Sequence, residues 1–291
     1  LGIRPVISFR FHLVSIAAVF MSLALGVVLG TAFINDGIVN RLDNDVKKLR
    51  DERNSARAEV GNWGTFGDEA EDAVAEGRLE GVRVLTIVPE GLRGSLPDKL
   101  HSLLARAGAI DAGTLTLDNA WSDKPAPTDQ IAAALGVNGP SSIDSVTATA
   151  AERLARELAA GGGPTLPALV DANLMRVDGG DPATTPGGAS RFVVIDNGPP
   201  EGLLEPLTRA LATEAPKSVL IADASADDQF QDSLVGILRS DPKGAQFSTV
   251  DHFSASPGRI AAILALREFA RGGTGDYGSG PGKDRAAPPA G

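Results

Sequence analysis

The sequence predicts an α/β protein: an N-terminal single transmembrane helix and a short coiled-coil stalk, followed by a parallel-sheet α/β domain. Three observations carry this. An uncharged apolar run extends from Leu13 to Ile34, a three-and-four spacing of apolar residues follows it, and from Val82 onward short β-rich runs alternate with amphipathic stretches.

The first run, LVSIAAVFMSLALGVVLGTAFI, contains no charge and no proline. At 1.5 Å rise per residue its length matches a hydrocarbon core of roughly 30 Å. A secretory signal has an apolar region of about 7–15 residues. This run overshoots it and continues into another helical pattern, so an uncleaved anchor is favoured over cleavage near Thr31–Ala32. Arg4 and Arg10 precede the span without an acid, while Arg41, Lys47, Lys48, Arg50 and Arg53 follow it among Asp36, Asp43, Asp45, Asp51 and Glu52. Large C-terminal domains translocate largely regardless of such charges, which places the N-terminus inside and the bulk outside. Ala18, Ser22, Gly26 and Gly30 recur every fourth residue, giving the helix one face of small side chains ending in G-x-x-x-G, a pattern for helix association in lipid. The expected partners are therefore the lipid bilayer and either a second copy or another membrane protein.

Beyond the span, Val39, Leu42, Val46, Leu49, Ala56 and Val60 follow the a/d rhythm of a coiled coil, with Arg53 at one seam position. A self-associating stalk and a single solvated one both fit this short seam. Gly61, Gly64 and Gly67 then read as a loop, with a polar helix at about 68–76.

The second half supplies the alternation. Val82–Val88 is a buried strand pattern, Pro97–Arg106 an amphipathic helix, and Thr114–Leu117 a second strand. Helices are expected at Asp129–Leu135, Val146–Ala160 and Pro167–Met175, and Asp178–Gly188 reads as a surface loop. Strands at Phe192–Asp196, Ser218–Asp223 and Phe247–Asp251 then alternate with helices at Leu203–Ala212, Asp232–Arg239 and Pro257–Ala270. Near-continuous apolar strands between helices mean a parallel sheet covered on both faces, a Rossmann-like arrangement. The domains expected are a cytoplasmic tail (1–12), the transmembrane helix (13–34), stalk and linker (35–78), an extracytoplasmic α/β domain with a helical insertion (79–271) and a disordered tail (272–291).

The chemistry is mostly one of exclusions. A formal net charge of −10 leaves no basic footprint for nucleic acid. No G-x-G-x-x-G follows the first strand and no G-x-x-x-x-G-K-[ST] occurs, so no cofactor is expected. With three histidines far apart in sequence, no G-x-S-x-G and no cysteine, no catalytic residues are assigned and the chain is read as a non-enzyme. Copper(I) prefers thiolate and thioether, yet the only methionines are Met21, in the span, and Met175. One constellation stands out: Glu90, Asp118, Asp196, Asp223 and Asp251 each lie at or just after a strand end. In a parallel sheet all five carboxyls share the C-terminal edge, where open α/β sheets hold ligands. A metal or a basic peptide is the candidate ligand of that edge; N-capping and turn roles for the same aspartates are the alternative.

The stretches SIAAVFMSLALGVVLG (Ser15–Gly30), SPGRIAAILALREF (Ser256–Phe269) and GGTGDYGSG (Gly272–Gly280) resemble the actinobacterial copper-transporter family of mycobacterial copper-transport protein B (MctB), with SteB-like relatives. The resemblance implies a channel-forming envelope protein of copper efflux and resistance, with the copper ion as a partner and the outer membrane as an address. Its SteB-like branch implies instead a non-enzymatic scaffold of cell separation with a membrane partner. A transmembrane β-barrel needs strands of about 9–11 residues with lipid-facing alternation. The short buried strands do not supply them, so a pore would need oligomerised helices or a larger rearrangement.

Overall fold

The computed structural model describes residues 9–35, 38–92, 95–123, 125, 127–139, 142–180, 188–225, 227–241 and 246–289. Most of the expected cytoplasmic tail, residues 1–8, lies outside them. The chain divides into two compact units between Trp63 and Gly64.

In the first unit, helix α1 spans Phe9–Asn35 and contains an apolar stretch, Phe9–Gly30, long enough to cross a membrane. None of that stretch is buried against the protein; Phe20 and Leu25 are 67% and 63% exposed. In water such a helix would expose an unsupported apolar surface. Helix α2 runs from Ile38 to Ala75. Its seam residues Leu42 and Leu49 are exposed; the side chains of Val39 and Val60 lie outside the described part. The structure therefore has the expected stalk segment as one helix, with Leu42 and Leu49 open to solvent.

The expected loop at Gly61–Gly67 is corrected, because α2 passes through all three glycines without a break. Interior glycines cost about 1 kcal/mol each relative to alanine, but the end of α2 is held by the second unit's core. Gly67 sits so close to Ser256 that a Cβ would lie 3.0 Å from the Ser256 Cβ. Ala75 and, just beyond the helix, Leu79 are buried.

The second unit is a sheet of seven strands in the order β3-β2-β1-β4-β5-β6-β7. The strands are β1 (Arg83–Pro89), β2 (Ile110–Leu117), β3 (Met175–Asp178), β4 (Arg191–Asp196), β5 (Val219–Asp223), β6 (Ser248–Val250) and β7 (Asp276–Tyr277). All neighbours pair in parallel except β2 and β3, which are antiparallel. Alternate residues of each strand feed two cores. Leu85, Ile87, Phe192, Val194, Val219 and Ile221 pack under α4 (Thr128–Ala134), α5 (Ile143–Ala160), α6 (Thr165–Asp171), α7 (Leu204–Glu214) and α8 (Leu234–Arg239). Val84, Val88, Val193, Ile195, Leu220 and Ala222 pack under α3 (Ser95–Arg106), α9 (Ser256–Glu268) and the end of α2. This is the two-faced covering expected of apolar parallel strands.

Two elements depart from expectation. The helix expected to reach Met175 stops at Asp171; Asn173 takes a left-handed conformation (φ 54°), and Met175–Asp178 becomes the antiparallel edge strand β3. The expected disordered tail is corrected more strongly. Asp276 and Tyr277 extend the sheet beside Thr249 and Val250, and the Tyr277 side chain is fully buried. A composition rich in glycine carries little apolar surface, but one tyrosine and a set of ionic hydrogen bonds are enough to order this segment.

Candidate functional site

Five parallel strands, β1, β2, β4, β5 and β6, end on one edge, and the five acids stand there. Strand order reverses between β1 and β4: β2 lies to one side, β5 and β6 to the other. This is the switch point at which open α/β sheets form a crevice. A cavity of about 180 Å³ occupies it, lined by Asp118, Trp121, Asp196, Asn197 and Glu201 among others. Among the described residues that line it there is no lysine or arginine.

The acids share the edge without pooling. Asp118 accepts a hydrogen bond from the Ala120 N–H at 2.8 Å, capping a short 3-10 turn that carries Trp121. The Trp121 indole donates to the Leu174 carbonyl at 2.7 Å, tying that turn to the entry of β3. Asp196 is buried and accepts from the Leu234 N–H at 2.8 Å, at the start of α8. Asp223, directly beside it in register, accepts from Ser225 N–H at 2.9 Å. The Glu90 N–H donates to Leu117 O at 2.8 Å, bridging the ends of β1 and β2. Among the described residues no group of three or more His, Cys, Asp or Glu could hold a metal ion. Asp118, Asp196 and Asp223 thus each accept a hydrogen bond from a backbone N–H at a turn or helix start.

Burial pushes the Asp196 carboxyl up to about 6, reinforced by the Asp223 charge and opposed by N–H donors from Leu234, Asn197 and Gly198. Asp251 moves the other way. Burial raises it, but hydrogen bonds from His252, the Ser279 N–H and Arg239 more than offset that and hold it below the ordinary carboxylate range.

Asp251 is the centre of a closed ionic node. Arg239, at the end of α8 and almost wholly buried, donates to Asp251 Oδ2 at 2.7 Å, Thr249 Oγ1 at 2.8 Å and the Tyr277 carbonyl at 2.6 Å. Ser279 and Gly280 N–H groups close on the two Asp251 oxygens at 2.8 and 3.0 Å. His252 Nδ1 meets Asp251 Oδ1 at 2.5 Å and Ser279 Oγ at 3.1 Å. Both contacts fall on one ring nitrogen, so the three residues cannot relay a proton from serine through histidine to aspartate as a catalytic triad does. The node's evident work is to fasten residues 276–285 over β6.

The family described as "Copper transport outer membrane protein, MctB" matches residues 6–288. The chain belongs to the MctB family. Similar proteins named "Copper transporter MctB" occur in Mycobacterium tuberculosis, 26% identical over 95% of this chain and 97% of the relative, and in Mycobacterium leprae, 26% identical over the same shares. The MctB match takes in α1, the whole sheet and the segment after α9.

Within this MctB chain the SPGRIAAILALREF stretch is α9, and its arginine builds a second buried node. Arg259 donates to both Glu71 oxygens, by Nε at 2.8 Å to Oε1 and Nη2 at 2.7 Å to Oε2, and also to the Ser254 carbonyl at 2.7 Å. Ser256 Oγ donates to Asp68. Sequence reading missed Arg239, Arg259, Glu71 and Tyr277, because a cation in an amphipathic helix and a tyrosine in a glycine run carry no local mark of burial.

Soft metal ligation is sparse in the same chain. There is no cysteine; Met21 is exposed on α1 and Met175 is buried in β3. On α1, Ala18, Ser22, Gly26 and Gly30 all lie exposed, and the two glycines have open space where a Cβ would stand.

Proposed function

We propose that this protein is a membrane-anchored component of the cell envelope that serves copper transport, with α1 as anchor, the N-terminus inside and the α/β unit on the extracytoplasmic side. The MctB match over residues 6–288 carries the reading. The apolar, uncovered surface of α1 supports the anchor. Copper is cargo here: the chain has no cysteine, and no three-residue ligand group lies among the described residues. A single helix encloses no path, so conduction of copper would require α1 helices from several chains or a partner protein, meeting along Ala18, Ser22, Gly26 and Gly30.

The test is a deletion strain complemented with the intact chain or with Gly26→Ile/Gly30→Ile. Raised cellular copper on deletion, reversed by the intact chain and not by the double variant, is the expected result. Unchanged copper together with a defect in daughter-cell separation would overturn the copper reading, and full rescue by the double variant would overturn the role of the small-residue face.

A further inference from the structure

We infer that α2 pairs with α2 of a second copy of this chain, parallel and in register, over residues 39–60. The heptad seam places Leu42, Val46, Leu49 and Ala56 on one stripe of a helix that the structure carries unbroken from Ile38 to Ala75. Leu42 and Leu49 stand 58% and 63% exposed, an apolar stripe that none of the described residues covers.

The occupant is read from the flanking charges. With Val46 at position a and Leu49 at d, the g positions are Asp45, Glu52 and Glu59 and the e positions are Asp43, Arg50 and Arg57. In a parallel dimer each g side chain meets the e side chain of the next heptad on the other helix. Asp45 then faces Arg50 of the second copy, and Glu52 faces Arg57, with both pairs repeated by the two-fold symmetry. An antiparallel pair sets g against g and e against e, which here means acid against acid at every g contact and Arg50 against Arg50, offset only where Asp43 meets Arg57. The charges therefore favour a parallel self-pair over the alternative. Arg53 at an a position fits the same arrangement: a lone polar residue in the seam costs stability but fixes register, and Glu52 of the second copy lies beside it.

A competing contact exists within one helix, Lys48 Nζ to Glu52 Oε1 at 3.7 Å, but both side chains are more than half exposed and such a pair contributes little. Three heptads are marginal for chains free in solution. On the membrane-anchor reading, which supplies the common orientation, two copies held in one bilayer begin α2 at the same level, and confinement raises their effective concentration.

The chain has no native cysteine, which gives a clean test. Full-length protein in its membrane, carrying Val46→Cys at the seam or Asp51→Cys on the outer face, is treated with a short bifunctional maleimide. Crosslinking at 46 and not at 51 is expected; no crosslinking at 46, or equal crosslinking at both, overturns the proposal. In the Val46→Cys background, Arg50→Glu/Arg57→Glu makes every e and g position from 43 to 59 acidic, and Asp45→Arg/Glu52→Arg makes the four paired positions 45, 50, 52 and 57 basic. Each alone should weaken self-crosslinking about tenfold, and co-expression of the two with different tags should restore it between them. Retained self-crosslinking in both charge variants overturns the pairing. These exposed substitutions leave the α/β unit untouched, and circular dichroism of the variants verifies it. Cellular copper does not enter the readout, so failure here is distinct from failure of the copper-transport reading.

Discussion

Arg259 on α9 holds Glu71 on α2 by two parallel charge-assisted hydrogen bonds, with only 5% and 10% of the two side chains exposed. A buried arginine stripped of its carboxylate is left as an uncompensated charge. Glu71→Ala and Arg259→Ala should each destabilise the α/β unit by about 3–5 kcal/mol. Replacing both residues by methionine should recover much of the loss. Denaturant unfolding of the four proteins measures the coupling; losses that simply add would show that the pair does not act as a unit.

Asp196 should give the protein an inverted acid response. Its carboxyl titrates near 6 in the folded state, above the ordinary value of 3.8, so the folded protein binds the proton more tightly than the unfolded chain. Its contribution is fully favourable below about pH 4 and is lost as pH rises through about 6. Asp196→Asn keeps an oxygen acceptor for the Leu234 N–H and removes the buried charge. Thermal unfolding between pH 4 and 7 should show a slope attributable to this group in the wild type and a flatter profile, with higher stability at pH 7, in the variant.

The closure of residues 276–285 over β6 rests on a glycine. Gly278 adopts φ +125°, and a Cβ there would lie 2.1 Å from Asp251 Oδ1. Gly278→Ala should cost about 2 kcal/mol or more and loosen the whole node. Gly282, at φ +72° with its nearest neighbour 3.5 Å away, is the control, with a cost nearer 1 kcal/mol. Proteolytic cleavage after Arg271 or Lys283 should accelerate strongly in the first variant and weakly in the second.

Gly61 and Gly64 interrupt α2 only in composition. At both, none of the described residues beyond the helix's own backbone comes within 4 Å of where a Cβ would stand, so alanine fits both and removes backbone freedom from the unfolded chain. Each substitution should add about 0.5–1 kcal/mol of helix stability. Slowed amide exchange across residues 58–66 is the expected observation.

The sequence was most legible where one interaction dominates. The apolar run of α1 and the buried runs of β1, β4 and β5 announce themselves through hydrophobicity alone, and from their alternation with helices the parallel sheet follows. The strand ends carry the five acids in the sequence, but the hydrogen bonds that Asp118, Asp196, Asp223 and Asp251 accept from Ala120, Leu234, Ser225 and Arg239 depend on the loops and helices folded against that edge. What stayed hidden is non-local. β3 exists because β2 offers an edge across about sixty residues of chain, a reach that no local pattern records. Likewise the glycines of α2 and of residues 272–282 read as breakers until Arg259 and Arg239, distant in sequence, supply what those segments lack.

The parallel pairing of β6 with β7 sets an order of assembly. A chain made from its N-terminus delivers β6 well before β7. Until Tyr277 arrives, Thr249 and Val250 present unpaired backbone groups, Asp251 has no Ser279 or Gly280 donor, and Arg239 lacks two of its carbonyl acceptors. An exposed strand edge invites pairing with other chains. The last residues to be made therefore close the sheet's open margin, and a chain clipped or stalled short of residue 276 would keep that margin bare, a target for proteases and for pairing with other chains.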